Sequence, residues 1–293
     1  MDDLREQWLI LISTPIYFII IGLEILLTHL QHRKSYTVKD TFTNLYLMLF
    51  NSGIDLAFRV VYLAVLQYFF LHAFYSWRHP WLYWAVLLLA EDFMYYWLHR
   101  FDHEVRFFWA IHVTHHSSEH FNFTVGFRSS VFQPLYRFIY FIPLAWAGFK
   151  PLDVALIYSA TQIWGIFVHT ELIKKLGWLE YLFVTPSHHR VHHGQNHQYI
   201  DRNMGMFLII WDKLFGTFAP ETEKVVFGVT KPPKTNRPAD MIFHEFKNMW
   251  HDVRTAPDTR SKLMYIFGPP GWSHETNTVT TPAFATEEVM EEV

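Results

Sequence analysis

The chain has 293 residues, a formal net charge of −3, no cysteine and 19 histidines, and 51% of its residues are apolar. This composition is too apolar for an ordinary soluble domain and lacks the basic excess of a nucleic-acid-binding protein. Without cysteine there can be no disulfide, thiolate nucleophile, iron–sulfur cluster or cysteine-ligated zinc site. Any bound metal must therefore be held by His, Asp or Glu.

Apolar segments predict an all-α polytopic membrane protein with a helical bundle of about four to five spans. They cover residues 7–30, 41–74, 81–98, 131–146 and 152–168. The first is too long, and its start too acidic, for a cleaved signal peptide. The last two are joined by a tight turn at residues 148–151 and should form a hairpin of spans.

Some of these segments carry charged residues. Glu24 is expected at the membrane interface or against a partner helix. Asp55 and Arg59 stand at i and i+4 and can neutralise each other, as a structural ion pair or as a polar lining of a cavity. Asp92 shares a helix face with His99 and His103, about 10 Å from His99. That separation favours a carboxylate that orients a ligand imidazole over a structural role, and a structural role over direct ligation.

Histidine is concentrated between residues 99 and 197, where 12 of the 19 lie. One H-x-x-x-H motif and two H-x-x-H-H motifs occur there, and these spacings put the imidazoles on common helix faces. The motifs are His99 and His103; His112, His115 and His116; and His189, His192 and His193.

The third motif lies in residues 185–194, where Ser187 as N-cap and Gly194 beyond the C-terminus predict a two-turn helix. His188 is one turn from His192 and could join the motif. Protonated imidazoles this close would repel one another, whereas neutral nitrogens can share a metal. The alternative is a solvated turn that happens to be rich in histidine, and the recurrence of the spacing argues against it.

Two further histidines are ambiguous. His169 ends the last apolar segment, where it could be a ligand or an interfacial residue. His120 lies off the spacing pattern and is expected at the surface. The pair His103-Glu104 does not begin a zinc-protease motif, because that motif needs histidine at position 107 and this chain has Phe107.

The predicted spans place all the clustered histidines on one side of the membrane. Most of the loop Lys and Arg residues lie on the same side, which the positive-inside rule makes cytoplasmic. Beyond the histidines, residues 203–215 are expected to form an amphipathic helix on the membrane surface. His244, Glu245 and His251 are expected on a surface helix, and residues 273–293 in a disordered tail.

Nine or so clustered imidazoles exceed the four to six ligands of one ion and suit two metals. Neutral nitrogen donors fit iron, zinc or copper. A site under apolar helices suits a substrate with an alkyl chain, and iron with O2 can oxidise an unactivated C–H bond. These considerations favour a lipid oxygenase.

The histidine motifs resemble the fatty acid hydroxylase superfamily of membrane di-iron oxygenases, which includes the sterol desaturases. Flanking sequences resemble its branch that oxidises alkylglycerols. They are residues 103–104, 112–119, 169–171, 185–194, 210–218, 224–226 and 268–272. The resemblance covers residues 80–272, and it identifies residues 1–272 as one oxygenase domain with a cytoplasmic histidine-rich helical cap.

The resemblance implies two iron ions, O2 and hydroxylation of the carbon next to an ether oxygen, giving a fatty aldehyde and a glycerol derivative. The implied iron ligands are His99, His103, His112, His115, His116, His169, His188, His189, His192 and His193. The resemblance also implies Glu104 near the irons as a catalytic residue, and Asp92 is a second catalytic candidate because of its place on the helix face of His99 and His103. Tetrahydrobiopterin is the implied reductant, and an electron-donor protein is an alternative. The expected location is the endoplasmic reticulum in a eukaryote or the inner membrane in a bacterium.

Two other functions stay open. One is a sterol or fatty-acyl hydroxylase or desaturase of the same superfamily. The other is a non-enzymatic membrane metal-binding protein, which should carry ionisable residues along a path through the spans. Asp55, Arg59, Glu91 and Asp92 are the candidates for such a path, and they do not form an evident one.

Overall fold

The computed structural model describes residues 5–279, and the chain there is mostly helical. The helices are α1 (Arg5–Leu30), α2 (Val38–Leu71), α3 (Pro80–Glu104), α4 (Arg106–His116), α5 (Phe138–Trp146), α6 (Pro151–Phe167), α7 (Pro186–His192), α8 (Ile210–Phe215), α9 (Pro238–Thr255) and α10 (Thr259–Phe267). A two-stranded antiparallel hairpin, β1 (Trp272–Ser273) and β2 (Thr278–Val279), follows them.

Two of the described helices are long and apolar enough to cross a bilayer, over Leu11–Leu30 of α1 and Val38–Leu71 of α2. Only 17% and 6% of these windows are buried within the protein, so their apolar side chains face outward. The expected hairpin of spans instead appears as α5, with nine residues, and α6, with 17. Both are shorter than the roughly 20 residues that a straight span needs.

Helices α2, α3, α5 and α6 pack together around an apolar core at the end of the bundle remote from the histidines. The buried members of this core are Leu66, Leu87, Phe141, Leu144, Ala145, Phe149 and Val154. The predicted turn between α5 and α6 is confirmed, and Gly148 adopts a positive φ of 90° there. A Cβ at this position would lie 2.2 Å from the carbonyl oxygen of Tyr75, so only glycine fits.

The charged residues of α1 and α2 have partners that the sequence did not reveal. Glu24 is buried and accepts hydrogen bonds from the Phe123 N–H, at 2.8 Å, and from the hydroxyls of Thr170 and Tyr36. Of the two expected positions, the one against packed protein is therefore observed, because α1 packs against α6 and Glu24 bonds to the segments that follow α4 and α6. Asp55 forms an ion pair with Arg137, just before α5.

Helix α3 continues to Glu104 as predicted, and the chain turns at Val105, which is extended, into α4. Helix α7 begins two residues earlier than expected, with Thr185 instead of Ser187 as N-cap and Pro186 in its first turn. Gly194 follows α7 as predicted, but its φ is not left-handed. Glycine is needed because a Cβ there would lie 2.9 Å from the side chain of Val225.

Two expectations for the C-terminal third are corrected. Residues 203–215 do not form a surface helix: only Ile210–Phe215 is helical, and Met204, Ile209 and Asp212 are fully buried. Glu245 is also buried, because it forms an ion pair with Arg106. Of the expected tail, residues 273–279 belong to the hairpin segment and residues 280–293 lie outside the described part.

Candidate metal centre

Nine histidines form two groups, in each of which the ring nitrogens lie within 4.8 Å of one another. The five-histidine group consists of His99, His103, His112, His116 and His192. The four-histidine group consists of His115, His169, His189 and His193. Nine of the ten histidines proposed from the sequence are thus brought together, and eight of the nine are fully buried.

The two groups are built from four places in the chain: the end of α3, the end of α4, the residue after α6, and α7 with the residue that follows it. Each H-x-x-H-H motif is divided between the groups. His112 and His116 lie in the five-histidine group and His115 in the other. His189 and His193 lie in the four-histidine group, whereas His192 crosses to the five-histidine group. In both motifs the middle histidine therefore faces the other group.

Backbone carbonyls fix the tautomers of four imidazoles. Because a carbonyl oxygen only accepts hydrogen bonds, the ring nitrogen beside it must carry the proton. The Nδ1 atoms of His99, His115, His169 and His192 donate to Met204 O at 2.8 Å, Arg128 O at 2.8 Å, Gly165 O at 2.6 Å and Arg202 O at 3.0 Å. The Nε2 atom of each neutral ring is then an unprotonated donor for a metal.

The Nε2 atoms converge within each group. His99 Nε2 lies 3.1 Å from His112 Nε2, and His169 Nε2 lies 3.2 Å from His193 Nε2. His103 Nε2 and His192 Nε2 are buried with no hydrogen-bond partner among the described residues. An unpaired buried nitrogen costs about 1–3 kcal/mol. Both groups therefore have the donor chemistry of cation sites, and the donor sets fit two metal ions.

Electrostatics keeps these imidazoles in the neutral form that binds metals. Burial, followed by the neighbouring imidazoles, lowers the pKa of His116 and His193 well below the ordinary range. Burial also lowers the pKa of His115 to about 4. The rings are therefore unprotonated at neutral pH, and their lone pairs are free for ligation.

Two aspartates that the sequence analysis did not single out approach the five-histidine group. Asp201 lies 3.2 Å from His103 Nδ1. Asp102 lies 3.8 Å from His112 Nδ1, and it accepts hydrogen bonds from Gln133 at 2.7 Å and Tyr136 at 2.6 Å. The clue for Asp102 was its position inside the H-x-x-x-H motif, beside His103.

Two buried carboxylates hold the segment that supports the five-histidine group. Asp212 accepts from the N–H groups of Met204, at 2.6 Å, and Gly205, at 2.8 Å. Asp92 accepts from the N–H groups of Phe207 and Leu208 and from the indole of Trp211. In the described structure Asp92 thus secures the backbone, and no hydrogen bond joins it to an imidazole.

Glu104 and His188 lie outside both groups. The side chain of Glu104 is 43% exposed and pairs with Arg100. The ring of His188 contacts Phe218, and the backbone carbonyl oxygen of His188 accepts a hydrogen bond from the Asn203 side chain. The geometry gives neither residue a direct place at the histidine groups.

Arg128, which is 1% exposed, forms hydrogen bonds to both α4 and α2. Its guanidinium donates to Thr114 O at 2.9 Å, Asn44 Oδ1 at 2.7 Å and Asp40 Oδ1 at 3.2 Å. The backbone carbonyl oxygen of Arg128 accepts a hydrogen bond from His115 Nδ1. One buried residue therefore supports the four-histidine group from both its backbone and its side chain.

Cavities flank the histidines on two sides. The outer cavity, about 590 Å³, is bordered by His103, His116, His192 and His193 and is closed by residues 228–231, α9, α10 and the hairpin. The inner cavity, about 210 Å³, is bordered by histidines of both groups and by α2, α3 and α6. A small cavity of about 80 Å³ shares Arg137 and Tyr158 with the inner one and extends towards the apolar core.

Comparison with known proteins shows what this chain is similar to. The family model for fatty acid hydroxylase matches residues 84–217. An alkylglycerol monooxygenase of Xenopus tropicalis is 38% identical over 265 residues, 89% of this chain and 58% of that protein. Those of Homo sapiens and Danio rerio are 44% and 37% identical over 67% and 89% of this chain.

The chain spans 58%, 44% and 59% of the length of these three relatives. No solved structure matches the chain. The family match ends at residue 217. The lining residues of the outer cavity that come from residues 228–279 therefore lie beyond the match.

Proposed function

We propose that this chain is a membrane-bound di-iron monooxygenase of the fatty acid hydroxylase family that oxidises alkylglycerols. The match of the family model to residues 84–217 supports the proposal. The observation that carries the proposal is the pair of convergent histidine groups beside a cavity that leads into apolar helices. The names of the relatives supply the substrate class.

The nine grouped histidines would hold the two irons, five around one ion and four around the other. A bound iron pair with O2 and two electrons supplies the oxidising power to insert one oxygen atom into a C–H bond. The other oxygen atom leaves as water. His188 and Glu104 are not needed as ligands, because the nine histidines already satisfy the usual coordination of two ions.

The inner cavity would hold the alkyl carbon that reacts. Its border includes His99, His112, His115, His169 and His189 from the two groups. Oxidation of the carbon next to the ether oxygen gives a hemiacetal. The hemiacetal hydroxyl proton passes to the ether oxygen as the C–O bond breaks, releasing a fatty aldehyde and glycerol.

The outer cavity would admit the reductant. Its volume is within the range of small-molecule sites, and it reaches four of the grouped histidines from the side opposite the inner cavity. Trp109, Tyr265 and Trp272 give it flat aromatic walls, and Arg106 and Lys231 supply donors. Tetrahydrobiopterin, as in the enzymes that the sequence resembles, suits this lining, and an electron-donor protein is the alternative source of electrons.

The apolar helices support a proposal for how the protein is arranged in the membrane. We propose that α1 and α2 cross the bilayer, that α3, α5 and α6 complete the bundle, and that the histidine groups face the cytoplasm. Basic loop residues on the histidine side support this orientation. The compartment would be the endoplasmic reticulum in a eukaryote and the inner membrane in a bacterium.

The test is turnover by the detergent-purified, iron-loaded protein, with a labelled alkylglycerol and a chemical reductant. Release of labelled fatty aldehyde, lost in His115→Ala and His192→Ala, would support the proposal. Each variant removes one ligand from a different group. Oxidation of a sterol or fatty acyl lipid, with no aldehyde from alkylglycerol, would replace the substrate assignment. Full activity in either variant would contradict the assignment of the site.

A further inference from the structure

We propose that Gln162 of α6 is a specificity-determining residue that donates a hydrogen bond to the ether oxygen of the bound lipid. The hydrogen bond would fix the neighbouring carbon in front of the two histidine groups. The inference rests on the proposed function and adds the residue that recognises the substrate's oxygen atom.

Gln162 lies where the reacting part of the substrate must be. It lines the inner cavity together with members of both histidine groups. Gly165 and Ile166, which follow it on α6, line the same cavity, and the carbonyl oxygen of Gly165 accepts from His169 Nδ1. One helix therefore carries Gln162 and also supports a histidine of the four-histidine group.

The amide nitrogen of Gln162 is buried and has no hydrogen-bond partner among the described residues. The Tyr95 hydroxyl lies within reach of the Gln162 side chain and can accept one hydrogen bond from it. An amide nitrogen carries two N–H donors, so at least one of them stays without an acceptor. Leaving a buried N–H unpaired is costly, so the cavity favours a ligand that brings an acceptor.

Other polar side chains around the cavity already have partners. Gln133 donates to Asp102, Asn51 donates to the carbonyl oxygen of Ser130, the Ser130 hydroxyl bonds to His112, and Arg137 pairs with Asp55. An incoming oxygen atom would have to break one of these bonds to be recognised there. Gln162 can offer an N–H group without such a loss.

The alkyl chain has a path away from Gln162. Along α6, Tyr158 and Ala155 lie one and two turns further from the histidines, and both line the small cavity. The path from Ile166 to Ala155 is about 17 Å at the helical rise per residue. It ends against Leu66, Phe141 and Val154, which are apolar. The guanidinium of Arg137, paired with Asp55, lies over the Tyr158 ring, so its charge is compensated beside the path.

The experiment compares the binding of an alkylglycerol with that of its analogue in which CH2 replaces the ether oxygen. Affinities are measured by displacement of a radiolabelled alkylglycerol from the purified, iron-loaded protein, without O2 or reductant, so that no turnover occurs. The variant is Gln162→Met, which keeps the length of the side chain and removes the donor. The matched control is Gln198→Met, the same substitution at an exposed position that lines none of the three cavities.

The wild-type protein and Gln198→Met are expected to bind the ether about tenfold more tightly than the CH2 analogue. Gln162→Met should bind both equally, through weaker binding of the ether alone. If Gln162→Met keeps the wild-type preference, or if the wild-type protein has none, the role of Gln162 is refuted while aldehyde release can still support the proposed function. If the wild-type protein binds no alkylglycerol and releases no aldehyde from it, the proposed function fails, and this inference fails with it.

Discussion

Replacing Asp212 by Asn should weaken iron binding at the five-histidine group and spare the four-histidine group. The carboxylate of Asp212 is fully buried and accepts from Met204 N at 2.6 Å, Gly205 N at 2.8 Å and the Thr217 hydroxyl at 2.7 Å. The carbonyl oxygen of Met204 in turn accepts a hydrogen bond from His99 Nδ1. Asp212 therefore acts on the metal site through the backbone.

The magnitude follows from the hydrogen bonds. One carboxylate oxygen accepts from Met204 and Thr217, and the other accepts from Gly205. An asparagine amide has one oxygen, so either orientation leaves a buried backbone N–H without an acceptor, at about 1–3 kcal/mol. Loss of support for a ligating histidine lowers metal affinity by about 10–100-fold, which corresponds to about 1.4–2.8 kcal/mol. The cost of the unpaired N–H and the expected loss of metal-binding free energy are therefore of the same size.

The assay is iron content per chain after dialysis against a graded series of chelator concentrations. Asp212→Asn should lose one iron at a chelator concentration about 10–100-fold lower than the wild-type protein and retain the other. The control is Asp258→Asn, which removes a carboxylate that accepts from Ser261 N at 2.7 Å at the start of α10, away from the histidines. Wild-type iron retention in a folded Asp212→Asn variant would refute the reasoning.

Three further outcomes are expected. Arg128→Met should lower the unfolding free energy by about 3–5 kcal/mol, because it leaves the Asp40 carboxylate buried without its cation; a thermal midpoint equal to that of the wild-type protein would contradict this. The iron-free protein should lose stability as the pH falls below about 6.5, since burial lowers the pKa of His116 and His193 in the folded state and the unfolded chain takes up protons first. A thermal midpoint that is constant from pH 8 to pH 5 would be inconsistent with those buried neutral rings. Glu104→Gln should leave the iron content unchanged, because the Glu104 carboxylate bonds to Arg100 near the surface, and loss of an iron would show that it approaches the metals.

The spacing of the histidines predicted eight of the nine rings that come together. His169 lay outside the spaced motifs, and His188, which the spacing allowed, lies outside both groups. Helical periodicity places residues three and four apart on one side of a helix, and nine of the ten proposed rings lie in the two groups. Spacing could not show that His115 and His192 face the other group from their motif neighbours. That division depends on how α4 and α7 are rotated against each other, which is a property of packing.

The supporting residues were harder to predict because their partners are distant in sequence. Asp92 binds the backbone 115 residues away, and Arg128 reaches Asp40 88 residues away. The sequence shows a charged residue in an apolar setting but not which backbone groups it will meet. The buried position of Asp212 was missed for the same reason, since a short segment of mixed polarity resembles a surface helix until its N–H partners are known.

The number of membrane spans was the part of the fold that the sequence predicted least well. Hydropathy alone gave five apolar segments, and two helices of the described chain have the length and composition of spans. Helices α3, α5 and α6 pack around the core and cavities of the bundle, which needs the same residue types as contact with lipid. Helix length separates α5 and α6 from α1 and α2, and it cannot be read reliably from an apolar run that contains turns.

The most direct test of the di-iron site is the number of irons bound per chain by the detergent-purified protein and by two single variants. Two irons in the wild-type protein, with one retained in His192→Ala and one in His189→Ala, are the predicted result, because each variant damages a different group. A single metal in the wild-type protein, or the loss of the same ion in both variants, would contradict the assignment of two separate iron sites.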